Sequence, residues 1–128
     1  MPHSRNRIVY VVDDDNDVRE STIALLMAAG MAARAYASGD TFLKNLEASD
    51  RGCILLDLHM PGLSGFQVLE SLRKGGNKMP VILFSGRADP TTDEIAIQSG
   101  AAAVLPKPFS PAQLIETVRR LLPDDQAA

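Results

Sequence analysis

The sequence has a single cysteine, no excess of basic charge and no long apolar run. One cysteine excludes an internal disulfide and gives no argument for secretion. That residue, Cys53, precedes Ile54-Leu55-Leu56, where it reads as a small buried hydrophobe rather than a reactive thiol. A formal net charge of -3 leaves no global positive field, so direct contact with nucleic acid is not expected. The N-terminal Met1-Pro2-His3-Ser4-Arg5-Asn6-Arg7 carries charge, but the apolar run after it is too short for a signal peptide and far too short to span a bilayer. A cytoplasmic protein without membrane contact is expected. Neither G-x-x-x-x-G-K-[ST] nor G-x-G-x-x-G occurs, which counts against a nucleotide-binding phosphate loop. His3 and His59 have no cysteine or histidine partners at ligand spacing, which counts against a transition-metal pair.

What the chain does have is one domain's worth of ordinary globular sequence: 128 residues, 45% hydrophobic and 23% charged. The expected organisation is a disordered N-terminus over residues 1–6, one domain over 7–122 and a polar tail over 123–128. Short apolar runs alternate with helix-like segments. The runs are Ile8–Val12, Ala32–Tyr36, Cys53–Leu56, Val81–Phe84 and Ala102–Leu105. Four are nearly continuous in apolar residues, as strands buried on both faces of a parallel sheet are. Ala32–Tyr36, with Arg34 inside it, suits an edge strand.

Between the runs, Val18, Thr22, Leu25, Leu26 and Ala29 form one face of a helix that stops near Gly30. Ser38 caps a second helix, predicted to reach about Ala48. Ser64-x-x-Gln67 and Ser110-x-x-Gln113 fit the capping box, and Pro111 suits a first helical turn. Asp89-Pro90 opens a fourth helix that Gly100 ends. The predicted fold is α/β, a (βα)₅ chain with helices on both faces of a parallel sheet.

The polar residues that need explaining follow the strands. Asp13, Asp14 and Asp15 come after the first, Asp57 ends the third, Ser85 ends the fourth and Lys107 follows the fifth. Open α/β sheets place their ligand sites beyond the carboxyl ends of the strands. Capping accounts for one residue after the first strand, Asp15 or Asn16, but not for three acids. Three carboxylates in one cleft repel each other unless a cation is present, and oxygen-only donors favour Mg²⁺. The cation would keep Asp57 ionised, and carboxylates serve as phosphoryl nucleophiles. Lys107 supplies a point charge for phosphoryl oxygens. Ser85 supplies a hydroxyl, and Gly86 leaves room beside it.

At these residues the sequence resembles the receiver domain of bacterial response regulators. The matching stretches are Val11-Val12-Asp13-Asp14-Asp15, Leu55-Leu56-Asp57-Leu58-His59-Met60-Pro61-Gly62, Phe84-Ser85-Gly86 and Lys107-Pro108-Phe109, and the likeness runs over about residues 7 to 122. Tyr36-Ala37-Ser38-Gly39 and Met60–Gly65 look nearest to the nitrogen-fixation regulator (FixJ-type) subgroup. The resemblance implies a flavodoxin-like, doubly wound three-layer sandwich with strand order 2-1-3-4-5. It implies that Asp57 is the phosphoacceptor for a sensor histidine kinase or a histidine phosphotransfer protein. It makes Asp14 and Asp57 direct Mg²⁺ ligands, with Asp13 acting through water and His59 through its backbone carbonyl. Ser85 and Lys107 become the phosphoryl-sensing pair, and the Lys107–Pro108 bond is expected to be cis. An unidentified output partner and a phosphorylation-dependent homodimer belong to the same picture. Such a chain catalyses its own phosphoryl transfer and dephosphorylation but is not otherwise an enzyme.

There are departures from the pattern. The position three before Lys107, usually aromatic, is Val104, which is too stiff and small to swing inward. Pro106 removes an N–H near the end of the fifth strand. Val104 supports an alternative, a receiver-like interaction module that acts without phosphorylation. A Mg²⁺ enzyme is a further alternative. Against it, His59 stands two residues after Asp57, where phosphatases with an aspartyl nucleophile place their acid. For docking a kinase, Ile23 and Met27 are expected to form an apolar patch on the first helix, one turn apart. On the fourth helix, one of Ile95 and Ile97 is expected to face outward.

Overall fold

The computed structural model describes residues 7–47, 50–86 and 90–122, with Pro90 and Thr91 described through their backbone alone. The terminal segments 1–6 and 123–128, the predicted second-helix end at Ala48 and the Asp89 cap lie outside the described residues. The element order is β1 (Arg7–Val12), α1 (Asn16–Ala28), β2 (Ala32–Tyr36), α2 (Gly39–Asn45), β3 (Arg51–Asp57), α3 (Gly65–Lys74), β4 (Val81–Ser85), α4 (Pro90–Gln98), β5 (Ala103–Pro106) and α5 (Pro111–Leu121). The strands are all parallel, in the order β2-β1-β3-β4-β5. This is the flavodoxin-like (βα)₅ arrangement implied by the resemblance.

The local signals act as their chemistry requires. Asp15 caps α1 by accepting from the N–H groups of Asp17 and Val18, and Ser38 caps α2 by accepting from that of Thr41. Ser64 with Gln67, and Ser110 with Gln113, form complete capping boxes at α3 and α5. The second helix is shorter than predicted and closes at Asn45, where Leu46 turns to extended backbone. Its end carried no glycine, so sequence alone overran it.

Alternation along each strand divides the core in two. Ile8, Tyr10, Val12, Ile54, Leu56, Val81 and Leu83 meet Phe42 of α2, Val68, Leu69 and Leu72 of α3, and Ala96 of α4. Val9, Val11, Cys53, Leu55, Ile82 and Phe84 face the other way, onto Leu26 of α1 and Leu114 and Val118 of α5. Cys53 is fully buried and has no disulfide partner, and burial pushes its thiol up to about 12. The edge strand β2 is the least covered, with Arg34 exposed.

Two close approaches fix how β3 meets its neighbours. Gly52 pairs with Ile8 at a φ of +148°, and a Cβ there would run into the Ile8 carbonyl. At the start of α3, Gly65 packs on the backbone of β3's last turn. A Cβ on it would lie 2.6 Å from the Asp57 carbonyl oxygen and 2.8 Å from the Leu58 Cα. The contact seats α3 directly behind the residue that ends β3. Gly65→Ala should therefore lower the unfolding free energy in urea by about 1–3 kcal/mol, the usual cost of overpacking a closed contact. It should also shift the amide resonances of Asp57 and Leu58. A variant as stable as the parent, with those resonances unmoved, would show that α3 can slide away without disturbing β3.

Candidate functional site

Because β1 lies between β2 and β3, the chain leaves β1 beside the end of β3. Asp13 and Asp57 therefore meet across neighbouring strand ends, and both are buried, at 0% and 5% exposure. Asp14, one residue further on, is exposed. One oxygen from each of Asp13, Asp14 and Asp57 falls within a span of 4.8 Å. From β5, across β4, Lys107 reaches in: its Nζ lies 3.0 Å from Asp13 Oδ2 and 3.5 Å from Asp57 Oδ2. The other oxygens are used as well. The Asp15 N–H donates to Asp13 Oδ1 at 2.9 Å, and the His59 N–H to Asp57 Oδ1 at 3.3 Å. The Asp14 carboxylate takes no hydrogen bond or ion pair from the described residues.

The electrostatics follow from these contacts. Burial raises the Asp57 carboxyl, and the neighbouring Asp13 charge raises it further. The Lys107 charge, the His59 N–H and the Lys107 hydrogen bond pull it down, and the balance stands at about 6 against an ordinary value of 3.8. For Lys107, burial alone would lower the ammonium. Hydrogen bonding and charge attraction from Asp13 and Asp57 outweigh it, and the group is raised. Among the described residues one ammonium thus faces three clustered carboxylates, which leaves the pocket short of positive charge.

Ser85, the last residue of β4, is 1% exposed and stands opposite Pro106 in the ladder. The Lys107 N–H donates to the Ser85 carbonyl at 2.7 Å, so the chain turns into the site directly after Pro106. Beyond Ser85 a Cβ built on Gly86 meets none of the described atoms within 4 Å. The Lys107–Pro108 peptide is cis. After it, Phe109 stacks on Phe84 with centroids 4.9 Å apart, and Lys107 Nζ stands 5.9 Å from the centre of the Phe84 ring. Of the sequence-predicted residues, Asp13, Asp14, Asp57 and Lys107 come together here and Ser85 ends the strand between β3 and β5; from His59, expected to act through its backbone carbonyl, it is the backbone N–H that meets Asp57.

Response regulator receiver domains match residues 9–119. The chain belongs to the response regulator receiver domain family. It is 42% identical over 114 residues to the transcriptional regulatory protein FixJ of Azorhizobium caulinodans, covering 89% of this chain and 54% of that one. It is 34% identical to the response regulator protein TodT of Pseudomonas putida, over 92% of this chain and 52% of that protein. The chain therefore spans about half the length of the curated relatives it matches. Among solved structures, FixJ-N superposes with a TM-score of 0.83 at 29% identity, covering 95% of each chain. The chemotaxis protein CheY4 of Vibrio cholerae superposes at 0.81 and 27%, covering 91% of this chain and 98% of that one. Phosphorelay signalling is the standard function of this family. Receiver domains bind Mg²⁺ at an acidic pocket and are not enzymes in the ordinary sense, and the reading without phosphorylation is not favoured. Among the described residues no helix is long and apolar enough to cross a membrane.

The structure changes two sequence expectations. Ile23 is half-buried against the α1/α5 side of the core, whereas Met27 is 63% exposed, so they do not form one outward patch. A groove of about 460 Å³ opens instead on the opposite flank of α1. It is lined by Val18, Ser21 and Leu25 on one side and by Pro108, Phe109 and Pro111 on the other. On α4 both isoleucines are exposed, Ile95 at 45% and Ile97 at 52%, because Ala96 between them is the residue that meets the sheet. One participant was missed. Arg19 sends its guanidinium back to the Asp13 main-chain oxygen, at 2.8 Å. The signal was available, since long helical side chains point toward the helix N-terminus.

The raised Asp57 gives a pH dependence with a definite sign. Its folded value of about 6 lies above 3.8, so the folded chain holds this proton more tightly than the unfolded chain does. The associated stabilisation is full below about pH 4 and is lost as pH rises through about 6. In the absence of divalent cations, Asp57→Asn should gain stability relative to the parent between pH 4 and pH 7, measured by urea unfolding. An equal difference between the two proteins at both pH values would mean that Asp57 titrates as an ordinary carboxyl.

Proposed function

We propose that this chain is a phosphoacceptor, in which Asp57 takes a phosphoryl group from the phosphohistidine of a sensor histidine kinase or a histidine phosphotransfer protein. The observation that carries the reading is the Asp13–Asp14–Asp57 cluster with Lys107 across it, built at the ends of β1, β3 and β5. In the transfer, an Asp57 carboxylate oxygen forms the new bond to phosphorus as the N–P bond breaks. The electron pair of that bond returns to the donor's imidazole.

The donor set fits Mg²⁺. It is all oxygen and, among the described residues, it is short of positive charge and Asp14 has no competing partner. Asp14 and Asp57 would hold the ion with the His59 carbonyl, while Asp13, both of whose oxygens are engaged, would act through water. When bound, Mg²⁺ supplies charge that offsets repulsion between the carboxylates and incoming phosphoryl oxygens. The chain's own groups do the rest. Once Asp57 is phosphorylated, Lys107 keeps its bond to Asp13 and turns its freed charge to a phosphoryl oxygen. Ser85 supplies a hydroxyl from the end of β4, and Gly86, without a side chain, leaves the group and a hydrolytic water room. Dephosphorylation by the chain itself belongs to the same reading.

The kinase or phosphotransfer partner is assigned to the groove along α1, whose apolar floor borders Lys107. Output through an altered surface, a phosphorylation-dependent homodimer and a role in transcription like that named for FixJ complete the proposal.

Acetyl phosphate with Mg²⁺ should add one phosphoryl group to the chain, read as intact mass, and Asp57→Asn should take up none. Phosphorylation of Asp57→Asn at the parent's rate would falsify the assignment. In Mg²⁺ titrations Asp14→Ala should weaken binding by more than about tenfold, and by more than Asp13→Ala does. The reverse order would exchange the two roles. Ser21→Arg fills the groove from an exposed position. It should slow transfer from the cognate kinase severalfold and leave acetyl phosphate labelling unchanged. Slowing of both would place Ser21 in the chemistry rather than the dock.

A further inference from the structure

We propose that Arg19 is a positioning residue for the acidic pocket and sets its preference for Mg²⁺ over larger divalent cations; this rests on the reading of Asp14 and Asp57 as Mg²⁺ ligands. Arg19 lies one turn into α1. Its Nη1 donates to the main-chain oxygen of Asp13 at 2.8 Å, and its Nη2 to Asn16 Oδ1 at 2.7 Å. A guanidinium presents its donors in a rigid fork, so two such bonds fix direction as well as distance.

The contact matters because of where that oxygen stands. β1 ends at Val12, and the Asp13 N–H makes the last link to β2, donating to the Tyr36 carbonyl at 3.1 Å. There the chain leaves the sheet, and the guanidinium takes the place of a strand neighbour. The oxygen belongs to the planar peptide that joins Asp13 to Asp14. Holding it fixes the backbone torsions on both sides of that plane together. The Asp13 carboxylate is anchored independently, by Lys107 and the Asp15 N–H. Asp14 has no such anchor among the described residues. The direction in which its carboxylate leaves the chain depends on the peptide that Arg19 clamps.

Charge and positioning predict opposite signs. If Arg19 acted as a nearby positive charge alone, removing it would tighten every divalent cation. If it positions Asp14, removing it weakens binding, and weakens Mg²⁺ more than Ca²⁺. Mg²⁺ demands near-ideal octahedral geometry, whereas Ca²⁺ accepts variable coordination. A role in general stability would move the melting temperature and leave the ratio of the two affinities alone.

The test titrates the whole chain with MgCl₂ and, separately, CaCl₂, following the amide resonances of Asp14 and Asp15, with circular dichroism as the check on folding. The variants are Arg19→Gln, Arg19→Lys and Asn16→Ala. Arg19→Gln should raise the Mg²⁺ Kd roughly tenfold and the Ca²⁺ Kd by less. Arg19→Lys keeps the charge without the fork and should fall on the same side. Asn16→Ala, which removes the guanidinium's second anchor, should produce a smaller shift in the same direction. Unchanged or tighter Mg²⁺ binding in Arg19→Gln, or proportional loss of both cations, overturns the proposal. Should Arg19→Gln not fold, Asn16→Ala decides: a lower Mg²⁺/Ca²⁺ preference upholds the clamp and an unchanged one overturns it. A parent chain that binds no Mg²⁺ overturns the ligand reading and this inference with it, whereas normal binding by the parent and an unaltered Arg19→Gln removes Arg19 alone.

Discussion

The ammonium of Lys107 stands 3.0 Å from one buried carboxylate and 3.5 Å from another, at the ends of two adjacent strands. Asp13 and Asp57 could not be kept this close in a buried setting without it, because like charges leaving water together are costly. The contact also spans the sheet: it ties β5, at one edge, to β1 and β3 near the middle. Its strength is limited. Asp57 remains raised even with Lys107 beside it, so the pocket holds itself together while keeping an affinity for further positive charge. The opposing demands of a stable fold and a reactive carboxylate are met by one lysine that neutralises too little.

Much of this was legible because the fold is written in short-range patterns. Three strands, β1, β3 and β4, are buried on both faces, so they read as apolar runs; β5 reads the same way, although as an edge strand it is only partly covered. The capping boxes at Ser64 and Ser110 locate α3 and α5, and the residues directly after each strand had to share one end of the sheet. Strand order was legible only through the resemblance, since alternation along a strand says which face a side chain takes and not which strand lies next door. What escaped the sequence depended on tertiary geometry. Ile23 sits one helical turn from Met27, yet the two differ in burial because only Ile23 packs against the core beneath α1. Arg19 looked like any solvated arginine, and its role exists only because the chain leaves β1 beneath it.

Val104 illustrates a difference that sequence registered and structure explains. It pairs with Leu83 across the ladder and is half-buried against the α2–α4 side of the core. A branched side chain with one favoured rotamer gives that side of the sheet a filler that does not flip. Movement near β4 and β5 must then be taken up by backbone and by whole elements rather than by rotation of one ring.

The element best suited to that is α4. Of its described side chains, Thr92 to Gln98, Ala96 alone is buried. Burying a group of that size is worth about 1 kcal/mol, far less than the several kcal/mol that hold a helix packed through leucines. Were such a helix to have a second arrangement, the two would lie close in free energy before any signal arrives. A ligand at the strand ends then needs to favour that arrangement by only a modest margin to make it dominant. The same shallow anchoring leaves Ile95 and Ile97 in water on either side of Ala96. A surface that covered them would gain apolar burial and restrain α4 in the same act, and any link between α4 and the strand ends would then run in both directions.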